Sequence, residues 1–92
     1  MLSKRKELIK WNEEAYEQYE AVQRNLKLIR TLMRLSTTDL GELVGMTRQS
    51  MHNFETGKNK LPKSVYLAIM EIIRNIEWSD SELILLNEMM RA

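Results

Sequence analysis

Ninety-two residues, 43% of them hydrophobic, with one Pro and three Gly, describe a single folded, helix-rich domain rather than a disordered chain. With no Cys and one His, disulfides, thiolate metal sites and most acid–base chemistry are excluded, so neither an enzyme nor a cofactor is expected. No apolar run approaches the roughly 18 residues of a membrane span. The basic opening Met-Leu-Ser-Lys-Arg-Lys-Glu lacks the apolar core of a signal peptide, so a cytoplasmic protein with no membrane partner is expected.

The first third has neither Pro nor Gly. Leu8, Trp11, Ala15, Tyr19, Val22, Leu26, Ile29 and Met33 recur every three or four residues, which places them on one helix face. Ser3 is a candidate cap. The spacing predicts either one helix over 4–34 or two helices broken near Asn12, with 21–34 as the part belonging to the core. Trp11, Tyr16 and Tyr19 offer rings for base stacking, but at helical spacing they read as packing residues.

Ser36-Thr37-Thr38-Asp39 is a capping box that starts a helix over 37–44, and Gly45 ends it through the left-handed conformation. Thr47 caps the next helix, over 48–55. Leu40, Val44, Met46, Met51 and Phe54 are placed to fix the angle between these two helices. Thr56-Gly57-Lys58-Asn59-Lys60 is a loop. Pro62 opens a helix over 62–76, with Val65, Ile69, Ile72, Ile73 and Ile76 on its apolar face. After Trp78 a second capping box, Ser79 to Glu82, starts a last helix with Leu83, Leu85, Leu86, Met89 and Met90 in its stripe. The expected fold is all-α and compact, with five helices and an N-terminal helical extension. The expected divisions are 1–20, 21–76 and 77–92.

Two short helices joined at Gly45 are the sequence form of a helix-turn-helix, whose second helix enters the DNA major groove. Arg48, Gln49, Ser50, His52 and Asn53 are left pointing outward on that helix. Arg pairs with guanine O6 and N7, and Gln or Asn with adenine. Charge is distributed accordingly. Residues 1–20 carry −1, residues 21–63 carry +5 and residues 64–92 carry −3. Phosphate neutralisation depends on such a local patch.

The stretch L-S-x-x-D-L-G-x-L-V-G-M-T-R-Q-S-M-x-x-F-E-x-G-K resembles the DNA-binding domain of lambdoid phage repressors and Cro proteins, the Xre family, over residues 21–76. The resemblance implies that Arg48, Gln49 and Asn53 read bases. His52 lies on the same approach. Thr37, Thr47, Ser50, Lys58, Lys60 and Lys63 are the expected contacts to the DNA backbone. Arg30 and Glu55 match a buried structural ion pair. Thr37 stands where the family often has Gln, and Gly41 where it prefers Ala. The implied protein is a bacterial or phage-encoded, nucleoid-associated regulator of transcription. It is expected to be a repressor binding double-stranded DNA as a homodimer, through apolar stripes in 1–20 and 79–92. The alternative is an antitoxin or adaptor that holds a protein partner through helix 79–90.

Overall fold

Tyr19, Val22, Leu26 and Ile29 lie on two helices, α1 (Tyr16–Arg24) and α2 (Leu26–Leu32), with Met33 as the cap that ends α2, in a computed structural model that describes residues 16–90. Leu8, Trp11, Ala15, Ser3 and the expected break near Asn12 fall outside the described residues. The break that is observed is at Asn25, at φ −105° and ψ 15°. Helical bonding continues through it, since Asn25 N–H reaches Ala21 O at 3.0 Å and Ile29 N–H reaches Asn25 O at 2.9 Å. The apolar stripe therefore stays in phase. The Asn25 amide instead donates to Met89 O at 2.9 Å, which fastens the break to the C-terminal helix.

The end of α2 also falls earlier than the spacing predicts. Arg34 takes a positive φ of 62°. Its N–H bonds Thr31 O at 2.9 Å, and Leu35 N–H bonds Arg30 O at 3.2 Å. That is a Schellman closure with Arg at the position where Gly is usual, at a conformational cost of about 1 kcal/mol or more.

Four further helices follow: α3 (Thr37–Val44), α4 (Arg48–Glu55), α5 (Lys63–Asn75) and α6 (Asp80–Met90). The described residues are all-helical, with no strand. Pro62 precedes α5 as its cap, so the helix begins one residue after the predicted start. Val65, Ile69 and Ile73 are buried as expected, but Tyr66 and Met70 are buried too, so α5 buries a wider face than its Ile and Val spacing suggests. Ile72 and Ile76 are only partly covered.

Trp78 folds back under the end of α5 and donates its indole N–H to Ile73 O at 2.9 Å. The second capping box then closes: Ser79 N–H bonds the Glu82 carboxylate at 2.8 Å, and Glu82 N–H bonds Ser79 Oγ at 3.2 Å. Ser79's backbone N–H, then its hydroxyl, and after them the charge of Arg34 hold the Glu82 carboxyl below its ordinary value of 4.5. A depressed folded value means that this cap contributes above the ordinary value and is lost as pH falls through the lowered one.

Two ties orient α6 on α2. Asn25 meets Met89 at one end, and Arg34 lies 3.5 Å from Glu82 at the other, so the two helices run antiparallel. Leu83, Leu86 and Met90 enter the same core as Leu26 and Ile29. Most of the α6 stripe expected at a dimer surface is thus spent inside the chain. Ile84 and Leu85 remain exposed, at 66% and 53%.

Candidate nucleic-acid interface

The pair α3–α4 forms because each helix end is closed by a local device. Ser36 Oγ accepts from Asp39 N–H at 3.0 Å, and Asp39 Oδ2 accepts from Ser36 N–H at 3.1 Å. Gly45 ends α3 at φ 76°, where a side chain is strained. Thr47 Oγ1 then accepts from Ser50 N–H at 3.1 Å, so α4 starts at Arg48, three residues after Gly45. Leu40, Met51 and Phe54 are buried between the helices and the rest of the core, with Val44 and Met46 packed at the rim.

Gly41 lies at the closest approach. A Cβ there would stand 2.6 Å from Met46 O and 3.2 Å from Met51 Cγ. The nearer atom is backbone, and it belongs to a residue whose own N–H is tied to Gly41 O at 2.7 Å. The absence of Ala at this position has a physical reason: the turn is drawn in too tightly for it. Gly41→Ala gains about 1 kcal/mol of helix propensity but overpacks the turn at a typical cost of 1–3 kcal/mol. We expect a net loss, read as a fall of several degrees in Tm; a rise would show that the turn relaxes freely.

With its inner face fixed this way, α4 turns Arg48, Gln49 and His52 to solvent, and leaves Ser50 and Asn53 half-buried. Arg48, Gln49 and His52 line one shallow concavity with Thr37, the first residue of α3. The structure therefore brings three of the base-reading candidates together with one backbone-contact candidate. Gln49 Nε2 also donates to Asn53 Oδ1 at 3.0 Å, one turn along the same helix. Thr47 is occupied locally, as cap acceptor for Ser50 N–H and as donor to Ser50 Oγ at 3.0 Å.

Lys58, Lys60 and Lys63 are exposed on and just after the loop that leaves α4. Lys60 lies apart from the Arg48 concavity. It lines a second hollow with Glu20, Gln23, Arg24 and Gly57, and its ammonium stands 5.9 Å over the Tyr19 ring. Tyr19 is a packing residue here: its hydroxyl donates to Leu61 O, and its ring meets Tyr66 edge-on at 5.2 Å. Trp11 and the side chain of Tyr16 lie outside the described residues.

Arg30 and Glu55 form the expected ion pair, with Nε to Oε2 at 2.5 Å and Nη2 to Oε1 at 3.3 Å. Their side chains are 12% and 6% exposed. Arg30 Nη1 also reaches Leu35 O at 2.8 Å, so one guanidinium links α2, the segment before α3 and the end of α4.

Gln23 is the residue that pattern reading missed. Its amide nitrogen donates to Asn59 O at 2.8 Å and Phe54 O at 3.2 Å, and its oxygen accepts from Leu61 N–H at 3.0 Å. One side chain on α1 therefore sets the course of the Lys-bearing loop. Its only sequence signal is a neutral polar residue beside the buried Val22, and its partners lie more than 30 residues away.

Among the described residues no helix is long and apolar enough to cross a membrane, and no group of three or more His, Cys, Asp or Glu could hold a metal ion. No protein-family model, no curated protein and no solved structure matches this chain.

Proposed function

We propose that this chain is a sequence-specific regulator that binds double-stranded DNA, a repressor of the lambdoid phage repressor and Cro type. The observation that carries this reading is the outer edge of α4. Arg48, Gln49, His52 and Asn53 present hydrogen-bonding groups on a helix whose angle is fixed by Gly45, Gly41 and the Arg30–Glu55 pair. Such an edge is suited to base recognition in the major groove, with the Lys of the following loop neutralising phosphate.

The proposed active form is a homodimer, with recognition helices about 34 Å apart on a near-palindromic operator. Ile84 and Leu85 on α6 are the surface proposed to be covered by the second copy. The same exposed pair favours a second reading, an antitoxin or adaptor that holds a different protein there. Sedimentation separates the two. A dimer at tens of micromolar, reduced to monomer by Leu85→Glu, supports the first; a monomer that stays monomeric on DNA supports the second.

Selection of sites from random duplex DNA tests the DNA-binding reading itself. A palindromic motif is expected. Arg48→Ala should then weaken binding to the selected site by about 1–3 kcal/mol with little effect on random DNA, and Lys58→Ala should weaken both alike and reduce the salt slope by about one. Equal loss on both DNAs for Arg48→Ala would remove Arg48 from base reading.

A further inference from the structure

Gln49 and Asn53 are four residues apart on α4, so both project from one edge of the helix. They are joined side chain to side chain, Gln49 Nε2 donating to Asn53 Oδ1 at 3.0 Å. Asn53 is also held through its backbone, since its carbonyl accepts from Asn59 N–H at 3.2 Å and from the Thr56 hydroxyl at 3.3 Å. Its backbone is thereby fixed, while Gln49 orients its side-chain amide.

An amide has one acceptor oxygen and two donor hydrogens. Once the bond is made, Gln49 retains its oxygen and one N–H, side by side. That is the pairing that adenine N6 and N7 require. The Asn53 oxygen already accepts from Gln49, which takes one of its two lone pairs, so the NH2 is the group Asn53 has wholly left to offer DNA. Two adjacent acceptors in the major groove, O6 and N7, are the mark of guanine. Four residues of helix rise about 6 Å, less than two base-pair steps of about 3.4 Å each.

On these grounds we infer that Gln49 and Asn53 read neighbouring base pairs as one unit, with Gln49 selecting adenine and, by occupying the Asn53 oxygen, setting Asn53 to select guanine. The inference rests on the DNA-binding reading above and adds to it the bases chosen and the coupling between them.

Site selection with the wild-type chain, Gln49→Ala and Asn53→Asp tests the coupling, with circular dichroism to check that each variant is folded. Both residues are outside the core, so folding is expected to survive. The wild type should return adenine and guanine at neighbouring positions. Asn53→Asp still accepts from Gln49 but has no donor, so it should keep the adenine and exchange the guanine for cytosine. Gln49→Ala should lose adenine discrimination by at least about fivefold. It should also change the second position from guanine to adenine, because the released Asn53 amide can then present oxygen and nitrogen together. If Gln49→Ala alters one position only, the two residues read independently and the inference is overturned, while the DNA-binding reading stands. A wild-type chain that returns no motif overturns the DNA-binding reading, and this inference with it.

Discussion

Arg30→Met is expected to destabilise the domain by about 3–5 kcal/mol, a large share of the roughly 5–15 kcal/mol that holds a domain folded. The guanidinium makes two bonds to Glu55 and one to Leu35 O, and both partners are mostly buried. Removing it leaves a carboxylate in the interior with no opposite charge. The loss would not come from the attraction of the pair as such, because desolvating two charges nearly offsets their attraction. The double variant Arg30→Met, Glu55→Leu should therefore recover much of the stability, and the denaturant midpoints of the two singles and the double give the coupling directly. The proposed DNA binding should respond differently. Even where the double variant is stable, the tie from α2 to the end of α4 is gone. Specific binding is then expected to weaken more than random binding, since base contacts need the α4 angle and phosphate contacts need it less. A single variant within 1 kcal/mol of wild type would show that water reaches the pair.

What was legible in the sequence was local chemistry. The Ser36–Asp39 and Ser79–Glu82 boxes close over three residues, so their geometry is fixed by the helix start they create. Gly45 marked a turn because its left-handed conformation favours Gly. The polar edge of α4 followed from the same periodicity that buries Met51 and Phe54. The illegible features break a local rule for a distant partner. Asn25 interrupts a helix where no Gly or Pro announces a break, and its amide finds Met89 across 64 positions. Arg34 ends α2 in a conformation that favours Gly, so composition gives no signal. Gln23 looks like an ordinary polar residue until the loop of residues 57–61 is folded against it. The stripe on α6 was legible as apolar, but periodicity alone does not say whether such a face meets its own core or another chain. Here Leu83, Leu86 and Met90 meet the core, and only the flank of the stripe at Leu85, with Ile84 beside it, is left outside.

That division makes Trp78 the residue on which α6 depends. It is 2% exposed, and its indole N–H satisfies a carbonyl in the last turn of α5. Trp78→Ala is expected to cost about 3–5 kcal/mol, from lost burial and the cavity left in the core. Trp78→Phe keeps most of the ring volume and removes this donor from Ile73 O, which still accepts from Ile76 N–H at 3.4 Å, so the cost is about 0.5–1.5 kcal/mol. The difference between the two variants, read from thermal unfolding, separates packing from the hydrogen bond. The consequence reaches the proposed interface as well. Ile84 and Leu85 are displayed together only while Leu83 and Leu86 anchor the inner face of α6, and Trp78, buried in the same core, immediately precedes the Ser79–Glu82 box that starts that helix. Trp78→Ala should therefore lower self-association under conditions where the rest of the domain stays folded, and with it operator affinity, while Trp78→Phe leaves both nearly unchanged. If Trp78→Ala unfolds the domain but the folded fraction still dimerises normally, the proposed dimer surface on α6 is wrong.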